Sequence, residues 1–253
     1  MKIRELYEKL NQQIPPALSC EWDNDGLMCC PEGDREVRRV LVTLDVTEAA
    51  ASYAAKEGFD LIVSHHPLIF KGLKNLGGED YLSEKVIRLL QGGIAVFSFH
   101  TRLDAVAGGV NDVLATLLGL EDAEPFGEES IGRVGELSRP MDSKEFAALV
   151  KERLKAPFVL LSDGGRPVKR VAVLGGGGED DIDAARATGA DTYVTGELKY
   201  HTLVDGPETG MNLIEAGHYF TEFPVCEELV RRLLALDEAL NCEIYRSWAV
   251  LTV

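Results

Sequence analysis

The sequence predicts an α/β protein of two similar lobes from an internal duplication, each with a mostly parallel or mixed sheet and flanking helices. Three observations carry that expectation. Short apolar runs rich in β-branched residues alternate with stretches long enough for helices, the pattern of βαβ units over a largely buried sheet. The pattern then recurs: displaced by 131 residues, Arg39–His66 aligns without a gap on Arg170–Glu197, and eight of 28 positions coincide, among them Gly58 with Gly189 and Asp60 with Asp191. The 253 residues, 45% of them hydrophobic, also suffice for two modest cores.

In chain order, Val37–Asp45 reads as a strand and Thr47–Glu57 as a helix opened by a threonine cap. Leu61–Ser64 reads as a strand, Tyr81–Leu90 as a helix, Gly93–Phe99 as a strand and Val110–Leu118 as a helix. Ala123–Asp142, rich in Glu, Gly and Pro, reads as a linker, so the lobes are expected at 1–125 and 126–253. Beyond it come a strand at Val168–Leu174, a helix at Asp180–Ala187, strands at Thr192–Thr195 and Asn212–Glu215, and a helix at Glu222–Leu236.

Charge excludes some functions. Lys and Arg number 26 against 42 Asp and Glu, a net −16, and a broad nucleic-acid surface needs the opposite balance. No apolar run approaches the roughly 20 residues of a membrane helix, and Met1–Leu10 lacks the apolar segment of a signal peptide. Five cysteines without CxxC spacing read as reduced thiols, so the expected location is the cytoplasm.

The five histidines are the informative residues. Leu61–Ser64 runs into His65-His66-Pro67, Gly93–Phe99 into His100-Thr-Arg-Leu-Asp104, and Met211–Gly217 into His218-Tyr-Phe-Thr-Glu222. Each places imidazole just past the carboxyl end of a strand, where open α/β sheets bind ligands. Taken singly, each has an ordinary explanation: a strand-end surface pair, a core histidine, a helix-surface ion pair between His218 and Glu222. His100 and Asp104 are expected in a loop, with His100 either a ligand or a support for one. Together they make an imidazole and carboxylate set suited to Zn, Mn or Fe, and five ligands exceed what one tetrahedral ion needs, which favours a dinuclear centre.

Other motifs speak less clearly. Gly175–Gly178 lies between a strand and a helix as a phosphate loop would, but Glu179, Asp180, Asp181 and Asp183 follow and would repel phosphate, so a sharp turn is expected. Thr195-Gly-Glu197-Leu-Lys199-Tyr-His201 also follows a strand and reads either as part of the site or as a polar loop. Nothing marks Ser64 or Ser98 as a nucleophile.

At these residues the sequence resembles the NGG-interacting-factor-like family of dinuclear metal proteins, whose members are often called GTP cyclohydrolase 1 type 2 homologs. The resemblance runs nearly end to end, through Trp22-Asp-Asn-Asp-Gly-Leu27, Ser64–Phe70, His100–Asp104, Gly109–Asp112, Thr195–His201 and Gly217–Glu222. It implies metal ligands His65, His66, Asp104, His218 and Glu222 around two divalent ions, pocket roles for Glu197, His100 and His201 in moving protons, and a toroidal homohexamer. Cys29-Cys30 stands where such proteins often carry a small residue or glycine. The resemblance implies hydrolytic opening of the guanine imidazole ring of a nucleotide. Two readings remain open beside it: a metal-dependent phosphoesterase, with Lys71, Arg102 or Lys199 holding phosphate, and a non-enzymatic metal-binding or regulatory scaffold, with a partner face near helical residues Ala239–Cys242.

Overall fold

The computed structural model describes residues 1–250. In chain order it contains α1 (Ile3–Gln13), β1 (Gly26–Cys29), β2 (Arg39–Thr43), α2 (Glu48–Glu57), β3 (Leu61–Ser64), α3 (Tyr81–Gln91), β4 (Ala95–Ser98) and α4 (Thr101–Ala105). There follow α5 (Val110–Leu118), β5 (Glu121–Phe126), β6 (Gly132–Met141), α6 (Ser143–Leu154), β7 (Leu160–Ser162), β8 (Val168–Leu174), α7 (Ile182–Ala187) and β9 (Thr192–Thr195). The chain closes with α8 (Tyr200–Thr209), β10 (Asn212–Glu215), α9 (His218–Glu222), α10 (Val225–Leu236) and β11 (Asn241–Tyr245).

Two compact units result: Met1–Val106 with Cys226–Val250, and Ala107–Val225. The division therefore falls elsewhere than the expected 125/126, because the chain's last helix and strand return to the first unit. There β11 adds in parallel to β2, Cys242 opposite Val40 and Ile244 opposite Val42, so the neighbourhood of Ala239–Cys242 is an edge strand and not a helical face.

The first unit's sheet has the order β1-β4-β3-β2-β11, parallel except for β1. Leu61, Ile62, Val63 and Ser64 are all buried, as a central parallel strand covered on both faces requires. Leu41, Ile62 and Val96 pack with Ala51, Ala54, Val86 and Leu89 of α2 and α3. Thr47 caps α2 through Ala50 N–H, and Gly58 ends it at φ 72°.

The second unit's sheet has the order β5-β6-β8-β9-β10-β7, with β8, β9 and β10 parallel. Phe146, Val150, Val171, Val173 and Ile214 form one core, and Ala172, Tyr193, Leu213 and Ala185 another. The expected linker at Ala123–Asp142 is instead the β5–β6 hairpin, with β6 antiparallel to β8. Its composition misleads for a physical reason: Glu121–Pro125 of β5 lie exposed on the sheet edge, where acidic residues and proline discourage further pairing.

The predicted helix at Glu222–Leu236 is divided: α9 ends at Glu222 and α10 begins at Val225, with Pro224 between, a residue that cannot donate to a continuing helix. Residues 101–105, expected as loop, form α4. The segment Thr195–His201, read either as part of the site or as a polar loop, gives way to α8 at Tyr200. Among the described residues no helix is long and apolar enough to cross a membrane.

Candidate metal centre

In the first unit the β3 and β4 ends present three imidazoles. Phe99 carbonyl oxygen accepts from His65 Nδ1 at 2.9 Å, Asp45 Oδ1 from His66 Nδ1 at 2.7 Å, and Asp23 Oδ1 from His100 Nδ1 at 2.9 Å. Carbonyl and carboxylate oxygens only accept, so each Nδ1 carries a proton, and in a neutral ring so held Nε2 is the nitrogen that can ligate a metal. One ring nitrogen of each histidine lies within 4.8 Å of those of the other two. His65 is fully buried, and its Nε2 stands 3.7 Å from Asp104 Oδ1.

Asp23 and Asp25 hold this arrangement. Asp23 Oδ2 accepts from Thr101 N–H and Oγ1, and Asp25 Oδ2 from His100 N–H and Arg102 Nε, so the two carboxylates cap the start of α4 from outside the helix. Burial opposes ionisation of Asp23, but hydrogen bonds from His100 and Thr101 outweigh it and hold the carboxyl well below its ordinary pKa. Arg102 is buried and committed to Asp25, Asn11 and the Ile14 carbonyl. It is therefore not a cation for substrate phosphate. Ser64 and Ser98 share a 2.8 Å hydrogen bond, and Ser64 Oγ also donates to the His66 carbonyl, which makes them ties between strand ends.

The second unit builds its donors on α9. His218 and Glu222 lie one turn apart, with His218 Nε2 3.1 Å from Glu222 Oε2. His218 Nδ1 stands 3.1 Å from Glu197 Oε1 on the loop after β9. Glu222 is buried, whereas the Glu197 carboxylate is largely exposed. Gly175–Gly178 makes room for this pair. A Cβ at Gly176 (φ +71°) would overlap Glu222 Oε1, and one at Gly196 would come within 2.7 Å of His218 Cα. Three of the loop's N–H groups are taken by protein side chains: Gly175 by Asn111 Oδ1, Gly176 by Thr221 Oγ1, Gly178 by Thr195 Oγ1. It is a packing turn and not a phosphate cradle. Beside it, Glu179, Glu197, Glu215 and Lys199 line a cleft of about 490 Å³. Burial first, then neighbouring Glu197 and Glu179, push the Glu215 carboxyl above its usual pKa.

The donor chemistry fits divalent metal in both units. Ligands bound to one ion at about 2.0–2.2 Å stand roughly 3–3.6 Å apart, close to the 3.1 Å and 3.7 Å His–carboxylate separations. Imidazole with carboxylate suits Zn, Mn or Fe. His201 is not brought among these groups. It lies exposed on α8, its field reaching Glu179. Reading the sequence assigned no role to Asp45, Asp23 or Thr221. For Asp45 a signal existed, since it ends the strand predicted at Val37–Asp45. The other two lie within the segments Trp22–Leu27 and Gly217–Glu222 that carry the family resemblance, but their partners, His100 and Thr101 for Asp23 and Gly176 for Thr221, could not be read from residue order.

Comparison with known proteins finds similar chains over nearly the whole length. The family described as Duf34/NIF3 (NGG1p interacting factor 3) matches residues 1–249. A Nostoc sp. protein called GTP cyclohydrolase 1 type 2 homolog is 37% identical, covering 94% of this chain and 93% of its own. A Clostridium perfringens protein of the same name is 35% identical, covering 96% and 94%. The Bacillus cereus protein related to NIF3 superposes with a TM-score of 0.88 at 23% identity over 100% of this chain and 99% of that one, a likeness of fold.

Proposed function

The chain belongs to the Duf34/NIF3 family, and on that footing we propose that it is a metal-dependent hydrolase acting on a nucleotide or related heterocycle. The observation that carries the proposal is the convergence of His65, His66 and His100: each Nδ1 donates to an oxygen that fixes its ring, and one ring nitrogen of each lies within 4.8 Å of those of the other two. In this reading His65, His66, Asp104, His218 and Glu222 serve one dinuclear centre. The names of the relatives support a nucleotide as substrate.

Two divalent ions, when bound, would supply Lewis acidity and an activated water. The chain's own groups then have distinct tasks. Glu197 orients His218 and, being exposed, can exchange a proton with ligand or solvent. His100, backed by ionised Asp23, can hold a proton near the same histidines. His201 enters the proposal on the family resemblance. Homohexameric assembly does too, and native mass measurement checks it against six 27.7 kDa chains. Five cysteines outside any disulfide support a reducing cytoplasm.

Elemental analysis of wild type, His65→Ala and Glu222→Ala tests the centre. A shared site gives about two ions per chain, with both ions weakened by either substitution. Two independent sites would lose one ion each, and a wild type that takes up no Zn, Mn or Fe would overturn the proposal. Incubation with GTP then tests the chemistry: Glu197→Gln is expected to slow turnover by about 10²–10⁴ while metal content holds.

A further inference from the structure

Two large aromatics stand exposed beside the first unit's histidines. Trp22 is 59% and Phe70 46% exposed. Their rings lie 6.3 Å apart, and each centroid is 6.2 Å from that of His100. They are held in place, because the Asn24 side-chain amide donates to the Ile69 carbonyl and ties the two loops that carry them. Phe70 also borders a cavity of about 470 Å³ shared with Asp45, His66, Lys71, Tyr81 and Lys85. That volume suits a small-molecule ligand.

The cavity's cations stand out in a chain of net charge −16. Lys71 is exposed and makes no ion pair among the described residues. Lys85 gives one hydrogen bond to the Val46 carbonyl at 2.6 Å and lies 5.8 Å from the Tyr81 ring centroid, which leaves two ammonium protons for another acceptor. The cavity lining therefore combines the Phe70 ring, against which Trp22 packs from outside the cavity, with ammonium donors and His66.

We infer that Trp22 and Phe70 with Lys71 and Lys85 form a recognition subsite for a planar heteroaromatic ring that carries an anionic group, as a nucleoside monophosphate does. The inference rests on the hydrolase reading above and gives it a substrate class. Aromatic faces take the ring by stacking and the lysines take the phosphate as point charges. A protein-binding patch would need neither the concave volume nor the lysines.

Trp22 is one of two tryptophans, so a Trp248→Phe background makes its fluorescence a direct probe. GMP is expected to quench that emission saturably, and guanosine to bind more weakly. Phe70→Leu should weaken GMP about tenfold, and Lys71→Ala should erase most of the difference between GMP and guanosine. In the native tryptophan background, Trp22→Leu should lower GMP affinity by a similar factor in equilibrium dialysis. Metal content of the three variants should match wild type, which separates a failure of this subsite from a failure of the metal centre. Quenching that persists in protein stripped with chelator would support the subsite on its own. Emission indifferent to GMP, affinity unchanged in Trp22→Leu and Phe70→Leu, or emission that follows protein concentration alone would overturn it.

Discussion

In the first unit the Asp60 carboxylate accepts the N–H groups of Arg38 and Arg39, and in the second Asp191 accepts those of Lys169 and Arg170. Arg39 donates to the Glu57 carbonyl, and Arg170 to that of Thr188. Gly58 and Gly189 both turn at positive φ, 72° and 81°. All these pairs lie 131 residues apart, so the duplication visible in sequence is also a duplication of hydrogen bonds. At the strand ends the correspondence changes character. Asp45, His65 and His66 of the first unit stand where the second has Gly176, Gly196 and Glu197. The first unit places donors at all three strand-end positions, whereas the second empties two of them, keeps a carboxylate at Glu197 and fills the space from α9. The helices α4 and α9 also correspond, each five residues long and following the last shared strand. Their His–carboxylate pairs are shifted by one position, with His100 capping α4 and His218 opening α9. One scaffold thus supports two ways of assembling imidazole and carboxylate, and the difference lies in where side-chain volume is allowed.

That contrast is open to direct attack, and the strongest blow falls on the emptied positions. Gly176→Ala adds a Cβ at φ +71° against Glu222, and strain with overpacking should cost about 2–4 kcal/mol. Thermal melts and metal content should both fall. At the corresponding first-unit position, Asp45→Ala should keep the fold but weaken metal binding about 10–100-fold, because the acceptor behind His66 is lost, with a tie to Ser247 Oγ, and no side chain is forced into occupied space. Equal effects at the two positions would remove the distinction. Next come the shared aspartates. Asp191 is buried and also accepts from Thr192 Oγ1, so Asp191→Ala should cost about 2–3 kcal/mol, with Asp60→Ala costing somewhat less. Denaturant midpoints that reversed this order would show that the scaffold is not carried alike.

The smallest effect concerns thiols, all five of which lie in the first unit. Burial pushes Cys29 up to about 12, with Cys30 adding to it, and Cys242 up to about 11. Thiolate is the reactive form, so at pH 8 both should be alkylated at least about 100-fold more slowly in native protein than in denaturant. Mass spectrometry of iodoacetamide-treated protein measures this. Fast labelling of Cys29 in the native state would mean that the edge at β1 opens readily.

Much of this was legible from residue order. Leu61–Ser64, Thr192–Thr195 and Asn212–Glu215 match the predicted strands residue for residue, because short runs with apolar or β-branched centres report burial in a parallel sheet. His218 and Glu222 share a helical face as their spacing implies. The hairpin at β5–β6 was obscured because an exposed edge strand has the composition of a loop. The return of β11 to β2 was obscured because partners some 200 residues apart leave no local trace.

By itself, then, the sequence determined the alternation of strands and helices, the duplicated frame and the strand ends that carry the histidines, since these follow from short-range periodicity and the geometry of the backbone. Tertiary structure alone decided which oxygen receives each Nδ1 proton, that Arg102 is committed to Asp25, and that Gly176 is needed to admit Glu222. Those outcomes depend on atoms brought within hydrogen-bonding or van der Waals distance by packing between segments distant in sequence, where a shift of an ångström changes both the partner and the energy.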